Sequence, residues 1–342
     1  MNNISLQIKS LLSPLRIVKI KQKPKLKNGL SPDIVIITRY KNKEKLLIVE
    51  IKSVGEPRFI EQAISQLKLY TDGVDNSYPI VASSYLSEKS RDVCKKLNVG
   101  YIDLAGNIFI DLPYIHIEKE SEKAKIAEKK RQKNLFSPIS TRIVRTLLVH
   151  PSSDWSIKSL SKKTGASLGY THRVVERLLD KKILYRDNSF RLKLEDPKQL
   201  LEEWSKNYIY RQNTIYPLYT FEKNKDLFFK KLLHISKSNN FKYALTLHSG
   251  AHIIAPYVRF TEIHFYIDSP VETWKEKLDL RPVESGANVY LLKPYDLGVF
   301  QDIQTINELK VVSNIQLYLD LYNYPKRGRE QAEFLREKKL KF

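Results

Sequence analysis

Two acidic residues and a lysine are spaced in this sequence as metal-dependent hydrolysis of a phosphodiester requires. Asp33 begins one apolar run, and Glu50 and Lys52 end the next. Alternate residues of a strand point to the same face, so Glu50 and Lys52 share a face while Ile51 points away. If the two runs pair as a hairpin, Asp33 reaches that face as well.

These residue types suit a divalent metal and a phosphate. The carboxylates of Asp33 and Glu50, with the Ile51 carbonyl as a further ligand, offer the oxygen atoms that Mg²⁺ or Mn²⁺ binds. A metal there polarises the phosphate and lowers the pKa of an attacking water. Lys52 can position that water or stabilise charge on the phosphoryl oxygens. The alternative is an amphipathic edge strand that carries ordinary surface charges.

The surrounding pattern predicts a small mixed sheet flanked by helices. Apolar runs at 33–38 and 45–51 are typical of strands. Residues 58–70 have helical periodicity, which places Gln66 and Tyr70 one turn apart. The further predicted elements are a strand at 79–82, a helix at 88–97, and strands at 101–104 and 108–112. The order ββαβαββ indicates a mixed α/β domain.

The turn in YIDLAGN, residues 101–107, has two interpretations. The favoured one is a hairpin, because a buried strand is followed by Gly-Asn. The other places Asn107 beside the metal site as a secondary site residue.

Composition narrows the class of protein. The 342 residues suit two or three domains. The net charge of +21 favours polyanionic partners, above all nucleic acid. One cysteine, Cys94, excludes a disulfide framework and a cysteine zinc cluster. No run approaches the ~18 apolar residues of a membrane span, and the N-terminus does not resemble a secretory signal. We therefore expect a cytoplasmic protein with no membrane partner.

Changes in pattern along the chain predict four regions. Residues 1–117 hold the α/β pattern, and the charge-dense stretch 118–135 predicts a helical linker, although its basic end can also touch phosphates. Residues 136–198 contain three short helical patterns and a hairpin, which together predict a winged helix-turn-helix. Residues 199–342 show mixed α and β patterns.

The third helix of the winged-helix region is the predicted DNA-reading element. Its apolar residues lie on one side, which leaves the other side for a major groove. Arg186, at the wing turn, is expected to lie on the backbone. The remaining predicted DNA contacts are Tyr170, Thr171, His172, Arg173 and Arg177. The alternative is a winged helix used for protein contacts, but the basic charge favours DNA.

The phrase LLIVEIKSVGEPRFIEQAISQLKLY, with Asp33 upstream, resembles the PD-(D/E)xK nuclease superfamily, in particular the core of RecB-type nucleases. The resemblance implies a restriction-endonuclease-like fold over the first third of the chain. It implies Asp33 and Glu50 as metal ligands and Lys52 as the catalytic lysine. It also implies that Gln66 and Tyr70 line the site. The first helical pattern, ISLQIKSLL, lacks the glutamate that many relatives carry, and a run of lysines follows it instead.

The last third contains a unit similar to that of nucleotidyltransferases: strand, Ser-Gly turn, helix and strand at 243–268. The later strand lacks paired acids, so we reject transferase activity. His248 and His252 are four residues apart, like half a zinc site, but without further ligands we expect local structural roles.

A second resemblance covers roughly 137–342. Four phrases carry it: SLGYTHRVVERLLDKKIL, SGAHIIAPYVR, GANVYLLKPYD and VVSNIQLYLDLYNYPKRGREQAEFL. In these phrases the chain resembles the type IV toxin–antitoxin AbiEi-family antitoxins. The resemblance implies a winged helix joined to a nucleotidyltransferase-like α+β domain without catalytic acids. It also implies a DNA-binding regulator, paired in some systems with a nucleotidyltransferase toxin.

Two functions follow from these patterns. The first is a Mg²⁺- or Mn²⁺-dependent endonuclease that acts on double-stranded DNA, is targeted by the winged helix, and fits a phage-defence or mobile-element context. The second is a non-catalytic DNA-binding regulator or antitoxin. The sequence leaves the oligomeric state open, a homodimer included.

Overall fold

The computed structural model describes residues 12, 15–26, 28–40, 43–113, 115–121, 135–340 and 342. Most of the predicted linker and of the first helical pattern lies outside these residues. The chain is a mixed α/β protein that divides into two compact units. One comprises residues 1–131 and 176–182, and the other comprises 132–175 and 183–342. No helix among the described residues combines the length and apolar character needed to cross a bilayer.

The first unit contains one seven-stranded sheet, whose strands are ordered along it as they are along the chain. Three central strands run parallel, and the outer neighbours pair antiparallel. The strands are β1 (Ile17–Gln22), β2 (Ile34–Tyr40), β3 (Lys43–Lys52), β4 (Ser77–Ser83), β5 (Gly100–Asp103), β6 (Ile108–Leu112) and β7 (Ile115–Lys119), and the helices are α1 (Pro57–Thr71) and α2 (Glu88–Lys96).

Every element predicted for residues 33–112 is present, and two strands outside that range were missed. The missed strands, β1 and β7, are the two edges of the sheet. Both are short and charged, as edge strands often are, so neither shows a continuous apolar run. The hairpin interpretation of 101–107 is confirmed, because β5 and β6 pair antiparallel across that turn.

Strand alternation divides the side chains of the sheet between two apolar layers. Ile34 and Val49 belong to one layer. Val35 and Ile48 belong to the other, where α1 contributes Ile64 and its apolar neighbours. Because alternate residues share a face, the side on which α1 packs is also the side of residues 33, 50 and 52.

Three helices and a two-stranded hairpin come next along the chain: α3 (Pro138–Val149), α4 (Ile157–Thr164), α5 (Leu168–Asp180), β8 (Leu184–Arg186) and β9 (Leu192–Leu194). They belong to the second unit, except for the end of α5 from residue 176, which belongs to the first. Trp155 adds a bridge to Leu192 of the hairpin. These are the elements that the sequence predicts here. The hydroxyl of Ser167 accepts the Tyr170 N–H, as expected of a residue that begins a helix.

A second seven-stranded sheet follows, with the order β13-β10-β14-β12-β11-β16-β15. Its strands are β10 (Thr214–Tyr219), β11 (Tyr243–Leu245), β12 (Ile263–Ile267), β13 (Arg281–Pro282), β14 (Val289–Lys293), β15 (Gln304–Ile306) and β16 (Leu309–Val311). Its helices are α6 (Pro197–Asn207), α7 (Lys225–Ser238), α8 (Leu247–Ile254), α9 (Val271–Leu278), α10 (Asn314–Tyr322) and α11 (Gly328–Leu335).

The strand–helix–strand unit predicted at 243–268 is present as β11, α8 and β12. The predicted Ser-Gly turn is wrong, because Ser249 and Gly250 lie inside α8. A Cβ atom at Gly250 would meet the Leu245 carbonyl oxygen at 3.0 Å, which is tighter than ordinary contact. Glycine therefore allows α8 to lie close against β11.

Asp320 is the centre of a buried polar network in the second unit. Its carboxylate accepts hydrogen bonds from the hydroxyls of Tyr208 at 2.6 Å and Tyr266 at 3.0 Å, from the Gln316 amide at 2.8 Å, and from Thr246. Burial raises the pKa of Asp320 to about 6, although these hydrogen bonds oppose the rise. The network ties α10 to α6, β12 and the start of α8.

We expect the stability of the second unit to depend on pH through Asp320. The folded state holds this proton more tightly than the unfolded state, so the free energy of unfolding should fall as pH rises from about 4 to about 6. Tryptophan fluorescence during urea unfolding reports this unit, because Trp155, Trp204 and Trp274 are the three tryptophans of the chain and all lie in it.

The fall in the free energy of unfolding between about pH 4 and about pH 6 should be absent in Asp320→Asn. It should be retained in Glu284→Gln, which alters an exposed carboxylate. An equal decline in wild type and Asp320→Asn would show that Asp320 does not titrate in this range.

Candidate functional site

The register of β2 against β3 brings the first carboxylate to the second. Ile34 pairs with Val49, so Asp33, one residue before β2, comes opposite Glu50. The Asp33 carboxylate accepts the Ile51 N–H at 2.8 Å. This bond holds Asp33 at the end of β3, on the side that Glu50 and Lys52 share.

Lys52 joins the strands to helix α1. Its ammonium donates to the Glu50 carboxylate at 3.0 Å and to the Gln66 side-chain oxygen at 3.0 Å. The Gln66 amide in turn donates to the Tyr70 hydroxyl at 3.1 Å. Gln66 and Tyr70 are one helical turn apart, so both face the sheet. The structure thus brings together five residues that the sequence singles out: Asp33, Glu50, Lys52, Gln66 and Tyr70.

Negative charge accumulates at this point. Glu50 is only 6% exposed, and burial raises its pKa. The hydrogen bond from Lys52 opposes that rise, and the nearby Asp33 charge adds to it. Burial, with the charge of Glu50, also raises the pKa of Tyr70. Lys52 bonds only one of the two carboxylates, that of Glu50, so the site favours additional positive charge.

The donor set fits a hard divalent cation. Asp33 and Glu50 supply carboxylate oxygens, and the Ile51 carbonyl is the remaining candidate ligand; oxygen donors are those that Mg²⁺ prefers. Within the described ranges, no group of three or more His, Cys, Asp or Glu side chains is placed to hold a metal ion. A metal at this site would therefore bind through two carboxylates and keep several waters, as Mg²⁺ usually does.

Ser83 is a site residue that the sequence patterns missed. It pairs with Lys52 on one side and with Asp103 on the other, so it lies in the same row across three strand ends. Its hydroxyl is buried, and among the described residues it has no hydrogen-bond partner. A serine at a strand end gives no sequence signal of its own, so only the register reveals it.

Asn107 is not part of this cluster. It is 1% exposed, and its side-chain amide donates to Asp103 at 2.8 Å while its oxygen accepts the Ser121 N–H at 2.9 Å. Its observed bonds hold the β5–β6 turn, and the secondary site role stays a prediction.

Exposed lysines extend from the site along the edge strand β1. Lys19 and Lys21 pair with Ile37 and Val35, and directly paired residues point to the same side, so both lie on the Asp33 side of the sheet. The Lys23 N–H bonds the Asp33 carbonyl oxygen at 2.9 Å. Among the described residues, no ion pair is formed by these lysines or by Lys25. We call this set the lysine row: Lys19, Lys21, Lys23 and Lys25.

Of the predicted DNA contacts on α5, Thr171 is buried and Tyr170 has its hydroxyl bonded within the protein. Thr171 is fully buried, and its hydroxyl donates to the Ser167 carbonyl oxygen at 3.0 Å, so its predicted phosphate or thymine contact is wrong. The Tyr170 hydroxyl is engaged by Ser137 at 3.0 Å and Ser140 at 2.8 Å. Its ring lies 5.5 Å from the Arg173 guanidinium. Tyr170 is half-buried and lies beside an exposed arginine, and its contact with DNA stays a prediction.

The other predicted contacts lie at the surface. His172, Arg173 and Arg177 are exposed on α5, and Arg186 is exposed at the end of β8. Phe190, at the tip of the hairpin, is 79% exposed. Each of these exposed side chains is of a type that suits contact with phosphates or bases.

The two histidines considered for zinc have separate local contacts. His248 is buried and its ring bonds the Lys326 carbonyl oxygen at 3.0 Å. His252 is exposed and lies against the Phe260 ring at 5.1 Å.

Comparisons with known proteins associate the C-terminal part with one family. Residues 193–341 match the family model described as "Transcriptional regulator, AbiEi antitoxin, Type IV TA system". The match covers less than half of the chain and begins after α5, so it does not extend to the helices and hairpin at 138–192. A comparison with curated proteins found no match.

Solved structures with similarity to this chain include two endonucleases. A repair endonuclease from Pyrococcus abyssi is 11% identical, covers 30% of this chain and 46% of its own, and has a TM-score of 0.25. Apo EndoMS is 13% identical, and the match covers 29% of this chain and 45% of the EndoMS chain, with a TM-score of 0.21. The protein of unknown function AF1548 is 12% identical, and the match covers 52% of this chain and 96% of the AF1548 chain, with a TM-score of 0.24. The chain thus spans less than half the length of either endonuclease, and likenesses with TM-scores this low do not bear on function.

Proposed function

We propose that this protein is a metal-dependent DNA endonuclease whose site is built from the ends of β2 and β3 and from helix α1. The observation that carries the proposal is the convergence of Asp33, Glu50 and Lys52, with the Lys52 ammonium held at 3.0 Å from both Glu50 and Gln66. An ordinary charged edge does not account for it, because β3 is an inner strand of the sheet and Glu50 is buried.

Each residue has a distinct role in the proposed reaction. Asp33 and Glu50 would hold Mg²⁺ or Mn²⁺, with the Ile51 carbonyl as a third ligand. When bound, such an ion polarises the phosphate and lowers the pKa of a coordinated water. Lys52 places a positive charge where negative charge develops on the phosphoryl oxygens. Gln66, supported by Tyr70, keeps the Lys52 ammonium oriented over the site.

The distribution of positive charge supports a nucleic-acid substrate. The lysine row lies beside Asp33, and cations in line with a site can neutralise successive phosphates. The exposed surface of α5, with Arg173 and Arg177, provides the proposed contact to double-stranded DNA in the manner of a winged helix.

A second candidate function is that of a DNA-binding regulator or antitoxin without catalysis. The family match over 193–341 favours it. In that case the nuclease-like unit would serve to hold DNA or a protein partner. A nucleotidyltransferase toxin is the partner that this alternative proposes.

Replacing Lys52 by alanine should abolish most cleavage. We expect a loss of about 100-fold or more in the cleavage rate of plasmid DNA with Mg²⁺ or Mn²⁺, because a preorganised charge at the reacting phosphate is removed. Asp33→Asn should behave alike, and EDTA should stop the wild-type reaction. Lys68→Ala, which removes an exposed lysine from the same helix as Gln66, is the matched control.

Cleavage that is equal in wild type and Lys52→Ala would come from a contaminant and would refute the proposed site. Tight binding to one operator sequence, without cleavage under any metal, would favour the regulator instead.

Removing part of the lysine row should reduce the salt dependence of DNA binding. Each phosphate contact contributes about 0.9 to the slope of log affinity against log salt. Lys19→Gln combined with Lys21→Gln should therefore lower the slope by about 2, measured by fluorescence anisotropy without metal. The control is Lys96→Gln with Lys119→Gln, which removes two exposed charges elsewhere in the unit. Equal slopes in the two double variants would show that the lysine row does not contact DNA.

Arg173→Gln combined with Arg177→Gln should weaken binding to duplex DNA by about tenfold or more, because charge-assisted contacts to bases or phosphates are lost. Lys158→Gln, on the neighbouring helix α4, should have little effect. The endonuclease and the regulator both predict this loss of affinity, which gel-shift measurements check. Unchanged affinity in the arginine variant would indicate that this surface meets a protein.

A further inference from the structure

A cavity of about 550 Å³ opens in the C-terminal part of the second unit. Its volume falls within the range of small-molecule sites. The lining combines aromatic rings with basic side chains: Lys206, Tyr208, Ile209, Tyr210, Arg211, Ile215, His264, Tyr290, Asn323, Tyr324 and Pro325.

Four of the lining rings form one continuous group. His264 stacks on Tyr290 with centroids 4.6 Å apart and an angle of 3° between the planes. Tyr324 meets His264 edge-on at 5.6 Å and Tyr210 edge-on at 5.7 Å. Burial lowers the pKa of His264 to about 3, so its ring is neutral. The group therefore offers an uncharged aromatic wall of the kind on which planar heterocycles stack.

The cavity also has polar groups that the protein itself does not satisfy. The Tyr210 hydroxyl is buried and has no hydrogen-bond partner among the described residues. Lys206 and Arg211 are exposed at the cavity, and neither forms an ion pair with any residue that the structure describes. Buried polar groups are usually hydrogen-bonded, so an unpartnered hydroxyl at a cavity indicates a missing partner.

Two acidic groups contact lining residues of the cavity, and both have partners within the protein. Asp320 accepts hydrogen bonds from Tyr208 and from three other side chains. Glu262 is paired with the Lys326 ammonium at 2.6 Å, and the Tyr290 hydroxyl lies at 3.4 Å from it. The two cations of the cavity are thus left uncompensated while this carboxylate is neutralised.

We propose that this cavity binds a nucleotide. The base would lie against the group formed by His264, Tyr290 and Tyr324, and the phosphate would bind Lys206 and Arg211. The Tyr210 hydroxyl would hydrogen-bond the ligand. A neutral aromatic molecule would not use the two cations, and inorganic phosphate would not use the rings, so the combination favours a ligand that has both parts.

Isothermal titration calorimetry on the full chain tests this proposal with ATP, GTP, CTP and AMP. Adenosine, ribose 5-phosphate and inorganic phosphate serve as probes that lack one part of the ligand. We expect at least one nucleotide to bind, with its base-free and phosphate-free counterparts at least about tenfold weaker.

Variants separate this site from other sources of binding. Lys206→Gln combined with Arg211→Gln should weaken nucleotide affinity about tenfold or more, and Lys230→Gln with Lys231→Gln on α7 should leave it unchanged. Tyr210→Phe should weaken binding without lowering the melting temperature, because it removes a hydroxyl that has no partner in the protein. Lys52→Ala should bind nucleotides as wild type does.

Three results would overturn the proposal. One is no binding of any nucleotide at about 1 mM, which is already weak affinity for such a site. Another is affinity that is the same in wild type and in Lys206→Gln/Arg211→Gln. The third is binding that Lys52→Ala abolishes, since that would place the nucleotide in the first unit. None of these results would contradict the proposed nuclease site, which the cleavage assay with Lys52→Ala tests separately.

Discussion

The antiparallel register between β2 and β3 is the constraint on which the candidate site depends. It brings Asp33 opposite Glu50, and the Ile51 N–H then fixes the Asp33 carboxylate at 2.8 Å. A slip of one residue would turn every side chain of a strand to the other face. The apolar layers on both faces of the sheet prevent that slip, because Val35 and Ile48 would leave one core and enter the other. Burial of ordinary hydrophobic residues therefore sets the geometry of the acids.

Much of this arrangement follows from sequence periodicity, and the parts that do not have identifiable causes. Alternation along 45–51 predicts that Glu50 and Lys52 share a face, and spacing of four predicts that Gln66 and Tyr70 align. Ser83 could not be found this way, because its place beside Lys52 comes from parallel pairing between distant segments. Thr171 was misassigned because helical spacing cannot determine how deeply a residue at the edge of the apolar face is buried.

Within the second unit, a chain of buried polar contacts joins helix α3 to the C-terminal sheet. Arg145 donates to Gln316 at 2.7 Å, and Gln316 donates to Asp320 at 2.8 Å. The Arg145 guanidinium also lies 5.1 Å from the Trp204 ring. Removing one partner would leave a buried polar or charged group without its hydrogen bond, which is destabilising. The three-helix segment is thus bound to the domain that follows it by contacts that cannot be lost singly.

The charged edges of the first sheet have a further consequence for the behaviour of the protein in solution. Among the described residues, no strand pairs with the outer side of β1, and the row of backbone N–H and C=O groups on such an edge is a template for pairing with another molecule. Lys19 and Lys21 place ammonium groups along that edge. The opposite edge, β7, carries charged side chains of both signs together with a histidine: His116, Glu118 and Lys119. Two copies that approached edge to edge through β1 would bring like charges together. Lysines on this edge therefore oppose fibril-like self-association, whatever ligand they bind.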